Sequence, residues 1–157
     1  MAKYICPLLT VENIEVSKDF YMNLLGQQIK FDFGANVTFQ GDFAIHLKSH
    51  YSGLIDNKPV TSGGNDFELY FELDDLEGLV RQLKEKSIEF VHPVKEQPWQ
   101  QKVVRFYDPD KHIIEVGETM EFLVSRLGKE GKTAEDISTI TMLPIEFINN
   151  YIDGSKI

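Results

Sequence analysis

The chain has 157 residues, of which 42% are hydrophobic and 26% are charged, a composition typical of a globular protein with a buried core. Its single cysteine excludes an internal disulfide framework and a zinc site built from several cysteines. The net charge of -9 repels phosphate backbones and anionic lipids, so we expect neither a nucleic-acid partner nor a membrane partner.

The N-terminal segment does not resemble a targeting sequence. It contains no apolar run of signal-peptide length, and the chain has no stretch of about 18 apolar residues that could cross a membrane. We therefore expect a cytoplasmic protein.

Short periodic segments in the first half predict a strand, a helix and three further strands. An extended run covers residues 4–10, and apolar residues recur at helical spacing over residues 15–25, before Gly26. The three further strands are predicted at residues 28–33, 36–40 and 43–48. A segment rich in Gly, Pro and Ser follows over residues 50–64 and is expected to be a linker.

The second half repeats this order. Alternation predicts a strand at residues 66–73, and an apolar stripe predicts a helix at 75–86. Three strands follow at 89–91, 102–107 and 111–117. The sequence VENI that enters the first helix corresponds to LDDL 62 positions later. This internal duplication predicts an α+β fold of two βαβββ modules, at residues 1–49 and 65–118, whose sheets form a cleft.

The alternation also predicts which side chains share a strand face. Glu68, Tyr70 and Glu72 lie opposite the apolar residues of their strand. His46 and Glu115 likewise lie opposite the apolar faces of their own strands. Such residues often form only the solvated face of an antiparallel sheet, and this interpretation stays open beside a functional one.

Two motifs resemble those of a known family. Residues 97–115 read QPWQQKVVRFYDPDKHIIE and resemble a PWG…FxDPDGxxxE stretch, and residues 10–26 read TVENIEVSKDFYMNLLG and resemble a V-D-I-xx-S-x-x-F-Y…LLG pattern. Both patterns belong to the vicinal oxygen chelate superfamily of glyoxalases, bleomycin-resistance proteins and extradiol dioxygenases. The resemblance covers about residues 3–118 and implies a glyoxalase-like domain at 1–118. We expect it to bind a small molecule in the cleft between its modules and to form a homodimer. Gln100 or Gln101, and Lys111, stand where the family usually has glycine.

The resemblance also implies a metal site. Carried over position by position, the ligands fall on Cys6, His46, Glu68 and Glu115. Such a set could hold Zn, Ni, Fe or Mn and bind two neighbouring substrate oxygens. The protein would then be a metal-dependent lyase, isomerase or dioxygenase, with Glu68 or Glu115 as the general base.

A second hypothesis needs no metal and follows the bleomycin-resistance proteins. In it, an acidic cleft lined with aromatic residues sequesters a planar or cationic compound such as a drug. Trp99 is the only tryptophan and lies in the matched loop. The other candidate ligand contacts are Tyr70, Phe33, Phe39, Phe106 and Arg105, and for the four aromatic residues the alternative interpretation is core packing. The histidines at 50, 92 and 112 receive no role.

Residues 119–157 lie outside the resemblance and are predicted to form helices at 120–127, 134–141 and 144–151. Thr133 is expected to cap the second helix, and Pro144 is expected at the first position of the third. The spacing resembles a helix-turn-helix, but acidic residues outnumber basic ones here, which disfavours a transcription regulator. We expect a helical extension that packs on a sheet, covers the cleft or joins a dimer.

Overall fold

A computed structural model of the chain describes residues 1–154. The chain divides into two compact units. The first unit comprises residues 1–68 together with 107–113, and the second comprises residues 69–106 and the chain from Ile114 onward.

The first unit contains a four-stranded mixed sheet in the order β1-β4-β3-β2, with β1 parallel to β4. Its strands are β1 (Leu8–Val11), β2 (Ile29–Asp32), β3 (Asn36–Phe39) and β4 (Ala44–Leu47). Two helices, α1 (Ile14–Asp19) and α2 (Lys48–Leu54), belong to this unit, and α1 continues as a π-helical turn over Phe20–Leu24.

Helix α1 begins where the sequence offers a cap. The side chain of Asn13 accepts hydrogen bonds from the backbone N–H groups of Glu15 and Val16 at 3.0 and 3.2 Å. At the other end, the π-helical turn buries Tyr21 against the rings of Phe39 and Phe43. These aromatic residues form the core between α1 and the first sheet.

The second sheet repeats the same topology in the order β5-β8-β7-β6. Its strands are β5 (Glu68–Glu72), β6 (Phe90–Glu96), β7 (Lys102–Tyr107) and β8 (Ile113–Gly117). Helix α3 (Leu76–Glu85) lies between β5 and β6 in the chain and buries Leu76, Leu79 and Leu83 on one stripe. The prediction of an α+β fold with two βαβββ modules is confirmed.

The C-terminal region forms three helices, α4 (Met120–Lys129), α5 (Ala134–Thr141) and α6 (Ile145–Tyr151). They share a core of Leu123, Val124, Leu127, Ile137 and Ile148. Thr133 caps α5 as predicted and forms a capping box with Asp136. Pro144 is the cap of α6 rather than its first helical residue. Within residues 1–154, the helices are all too short or too polar to cross a membrane.

Three predicted element boundaries are wrong. Strand β1 begins at Leu8, so Cys6 precedes the sheet instead of lying on its first strand. Helix α2 overlaps the start of the predicted linker at 50–64, and because it buries none of its residues it leaves no apolar stripe in the sequence. Strand β6 extends well past residue 91 and includes Pro93, which an edge strand with an irregular register tolerates.

Candidate functional site

The predicted strand faces differ in how much solvent they meet. On β5, Tyr70 and Glu72 are exposed whereas Leu69 is buried, which confirms the predicted alternation. On β4 and β8, however, His46 and Glu115 are only 7% and 6% exposed. These two side chains are therefore held inside the protein, and solvation of a polar sheet face does not explain them.

A chain of hydrogen bonds joins the half-exposed aromatic residues of the second unit. The indole Nε1 of Trp99 donates to Gln101 Oε1 at 2.9 Å, and Gln101 Nε2 donates to Tyr70 Oη at 2.8 Å. The Tyr70 hydroxyl donates in turn to Glu72 Oε1 at 2.9 Å. Trp99 and Tyr70 are 40% and 47% exposed, so part of each side chain meets solvent while its polar atom is held by a hydrogen bond. Partial burial, together with Glu72, raises the pKa of the Tyr70 hydroxyl.

Gln101 is the centre of this chain and is almost fully buried. Its Nε2 also donates to the backbone oxygen of Glu118 at 2.7 Å. Gly117 is adjacent to both side chains. A Cβ atom at position 117 would lie 2.7 Å from Gln101 Nε2 and 3.2 Å from Tyr70 Oη. Glycine at position 117 is thus what allows Gln101 and Tyr70 to meet.

Helix α4 holds the loop that carries Trp99. Arg126 Nη2 donates to the backbone oxygen of Gln100 at 2.6 Å, and Gln100 has a left-handed φ of +66°. Lys111 has a φ of +68°. Both residues therefore adopt the backbone conformation that the family's glycines favour, although they carry side chains.

The same arginine neutralises a buried carboxylate. Arg126 Nε and Nη2 bind the two carboxylate oxygens of Glu118 at 3.0 and 2.8 Å. Glu118 is 3% exposed and also accepts the backbone N–H of Lys102 at 3.0 Å. This bidentate pair fastens α4 to the start of β7.

A row of polar side chains crosses β6, β7 and β8. Arg105 forms an ion pair with the buried Glu115, and its Nη1 donates to His92 Nε2 at 3.2 Å. Because Nε2 of His92 accepts, we assign the ring proton to Nδ1, which lies 2.7 Å from the Pro93 oxygen and donates to it. The guanidinium of Arg105, predicted to bind substrate, is thus occupied at both ends by protein groups.

His46 lies in the first unit among partners that sequence reasoning missed. Its Nδ1 is 3.1 Å from Asn36 Nδ2, and its Nε2 is 2.7 Å from Nδ1 of His50. The His46 and His50 rings stack, and Tyr51 meets His46 edge-on. Burial, and then the nearby imidazole of His50, lower the pKa of His46.

This histidine pair predicts a pH dependence of stability. Because the pKa of His46 is lower in the folded state, the unfolded chain takes up its proton first as the pH falls through about 6.5. We expect the free energy of unfolding to decrease between pH 7.5 and 5.5, and to decrease less in His46→Gln. Urea titrations at both pH values measure this difference, and equal decreases in the two proteins would contradict it.

The predicted metal ligands do not fit a metal as they stand. Both ring nitrogens of His46 face other side chains, Glu115 is paired with Arg105, and Glu68 is exposed. Cys6 lies ahead of β1. Over residues 1–154, no group of three or more His, Cys, Asp or Glu side chains is arranged to hold a metal ion. The four-residue ligand set stays a prediction.

The remaining predicted aromatic residues divide into two kinds. Phe33 is 70% exposed and stacks on Phe31. Phe39 and Phe106 are fully buried core residues and present no surface to a ligand. Of the predicted ligand contacts, Trp99 and Tyr70 are the two that the structure joins.

The comparisons with known proteins agree with the fold. A glyoxalase-like domain model matches residues 4–121. A protein of unknown function from Agrobacterium tumefaciens str. C58 is 37% identical, with a TM-score of 0.68, over 76% of this chain and 96% of that one. A glyoxalase-related enzyme from Fulvimarina pelagi is 19% identical, with a TM-score of 0.64, over 75% of this chain and 89% of that one.

A lactoylglutathione lyase from Agrobacterium tumefaciens is 20% identical, with a TM-score of 0.56, over 76% of this chain and 96% of that one. No curated protein is significantly similar. The two structures near 20% identity share the fold, whereas the domain match spans most of the chain. The chain therefore belongs to the glyoxalase-like domain family of the vicinal oxygen chelate superfamily.

Proposed function

We propose that the protein binds a small, planar organic cation on an aromatic surface formed by Trp99 and Tyr70 beside Glu72, and that it does so without a metal. The observation that carries this proposal is the hydrogen-bond chain from Trp99 through Gln101 to Tyr70 and Glu72. The chain fixes two half-exposed rings before a ligand arrives, which lowers the entropic cost of binding.

The charges around the aromatic surface favour a cation. Glu72 is exposed and accepts from Tyr70, so its carboxylate lies beside the ring that a ligand would contact. Arg105 does not oppose a cation strongly because Glu115 neutralises it. An aromatic cation also gains from stacking on indole and phenol rings. This function resembles drug sequestration by bleomycin-resistance proteins.

The metal-dependent lyase, isomerase and dioxygenase hypotheses require a different state of the same residues. Glu115 would have to leave Arg105, and His46 would have to leave Asn36 or His50 before either could bind a metal. Each step would leave a buried charged or polar group without its partner, which is unfavourable. The pairing of these residues therefore favours a metal-free function over a metal-dependent one.

We also propose that the protein forms a homodimer. Light scattering should give twice the 18.0 kDa mass of the chain. A mass of one chain at the protein concentration used for ligand titration would contradict it.

Fluorescence titration tests the proposed ligand, because Trp99 is the only tryptophan. N-methylquinolinium should quench Trp99 and bind about tenfold more tightly than quinoline, which is uncharged at pH 8. Tyr70→Ala should weaken binding about tenfold through loss of stacking, and Glu72→Gln should weaken it several-fold.

Two matched variants control for nonspecific effects. Tyr4 is an exposed tyrosine of the first unit and Glu85 an exposed glutamate of α3, so Tyr4→Ala and Glu85→Gln should bind as the wild type does. Equal affinity for the charged and uncharged compounds would contradict the choice of a cation. Wild-type affinity in Tyr70→Ala would contradict the choice of surface.

A further inference from the structure

The second unit contains a cavity of about 640 Å³ between the start of α3 and helix α4. We call it the α3–α4 cavity, and its lining residues are Asp74, Asp75, Leu76, Glu77, Val94, Lys102, Glu118, Phe122 and Arg126. Its volume is within the range of pockets that hold small molecules.

The helical extension completes this cavity. Phe122 and Arg126 belong to α4 and lie beyond residue 121, where the glyoxalase-like match ends. Arg126 is fixed by both oxygens of Glu118 and by the backbone of Gln100. The wall is therefore preorganised, and it is specific to chains that carry such an extension.

The cavity is separate from the aromatic surface. Lys102 lies three residues from Arg105 on β7, so the two side chains point to opposite faces of the strand. Val104 and Phe106 share the face of Lys102 and are fully buried. Trp99, Tyr70 and Glu72, which form the aromatic surface, are not among the residues that line the cavity.

Some charged side chains of the cavity have partners within the protein, and others have none that the structure describes. Glu118 and Arg126 neutralise each other, and Asp75 caps α3 by accepting the N–H of Gly78 at 2.8 Å. By contrast, the side chains of Glu77 and Lys102 form no hydrogen bond or ion pair with any residue among 1–154.

Asp74 adds a second negative charge to the same wall. Its carboxylate accepts the neutral hydroxyl of Thr119 at 2.6 Å and forms no ion pair with any residue among 1–154. The wall at the start of α3 therefore carries negative charge from Asp74, Asp75 and Glu77 that no cation among residues 1–154 neutralises. The β7 wall carries an uncompensated positive charge on Lys102.

Apolar residues supply the rest of the lining. Leu76, Val94 and Phe122 come from α3, β6 and α4 respectively. An apolar group of a ligand would bury itself against these three side chains, and this burial provides the nonspecific part of the binding free energy.

We propose that the α3–α4 cavity binds a small zwitterion with an apolar body, of which a hydrophobic amino acid is the simplest example. Its ammonium group would meet Asp74 and Glu77, its carboxylate would meet Lys102, and its side chain would meet Phe122. A simple cation would leave Lys102 facing a positive charge, and a simple anion would face the carboxylates of Asp74, Asp75 and Glu77. The zwitterion is the ligand for which both walls are complementary.

Calorimetric titration with three compounds of the same apolar body tests this proposal. L-phenylalanine carries both charges, 2-phenylethylamine only the positive one and 3-phenylpropionate only the negative one. We expect phenylalanine to bind one per chain and at least tenfold more tightly than either analogue. Phenylalanine should lose at least tenfold in affinity in Glu77→Gln and in Lys102→Met, because each removes one charged contact.

Controls separate this site from the aromatic surface and from misfolding. Glu85→Gln and Lys84→Met change exposed α3 residues outside the cavity, and Tyr70→Ala changes the other site. All three should bind phenylalanine as the wild type does, and circular dichroism melts should show that the cavity variants fold. No binding of phenylalanine at millimolar concentration, equal binding of 2-phenylethylamine, or wild-type affinity in folded Lys102→Met would overturn the proposal.

Discussion

Arg126→Met is expected to lower the free energy of unfolding by about 3 kcal/mol, because it leaves the 3% exposed carboxylate of Glu118 without a cation. The variant also loses the hydrogen bond to the backbone of Gln100, which supports the Trp99 loop. We therefore expect the emission of native Trp99 to change as well. Urea unfolding followed by Trp99 fluorescence measures both effects in one titration.

The double variant Arg126→Met/Glu118→Gln separates charge from packing. Glutamine at position 118 can still accept the N–H of Lys102, and it carries no charge to be compensated. We expect it to recover a large part of the lost stability, whereas Arg81→Met, a change of an exposed α3 arginine, should be nearly neutral. A single variant as stable as the wild type would show that the ion pair does not stabilise this unit.

Arg105→Met should have an effect of similar size, a loss of about 3 kcal/mol in the free energy of unfolding. Glu115 is 6% exposed, and the guanidinium of Arg105 is its ion-pair partner. His92 would also lose the donor to its Nε2. Urea unfolding of the variant against the wild type measures the loss.

A double variant shows whether Arg105 serves to neutralise Glu115 or to bind the ligand. If Arg105 mainly neutralises Glu115, then Arg105→Met/Glu115→Gln should regain stability and should bind N-methylquinolinium with wild-type affinity. A double variant that folds well but no longer binds the compound would instead assign Arg105 the substrate contact that the sequence predicts.

Much of the fold was predictable because each element carries its own signal. The strand at residues 102–107 and the helix at 134–141 have the predicted bounds, since the first is rich in β-branched and aromatic residues and the second follows a threonine cap. Helix α2 carried no such signal because none of its residues is buried. The predicted strand ended before Pro93, because proline is disfavoured in a strand unless the strand lies at the edge of a sheet, as β6 does.

The candidate site was predictable in its residues but not in their partners. Trp99 and Tyr70 could be selected as aromatic residues in a matched loop and on a polar strand face. Their connection through Gln101 depends on how β7 and β5 are brought together, which neither segment encodes locally. Likewise, the pairing of His92 with Arg105 depends on a register that shifts twice between β6 and β7.

If this glyoxalase-like chain binds its ligand without a metal, as we propose, removal of metal ions should leave ligand binding unchanged. Quenching of Trp99 fluorescence by N-methylquinolinium would be measured on two kinds of sample: protein treated with a chelator, and protein supplied with Zn, Ni, Fe or Mn. Mass spectrometry would give the metal content of each sample. We predict the same affinity in every sample and no metal retained after desalting. Close to one metal per chain, with binding that disappears on chelation, would contradict the account and restore the metal-dependent hypothesis.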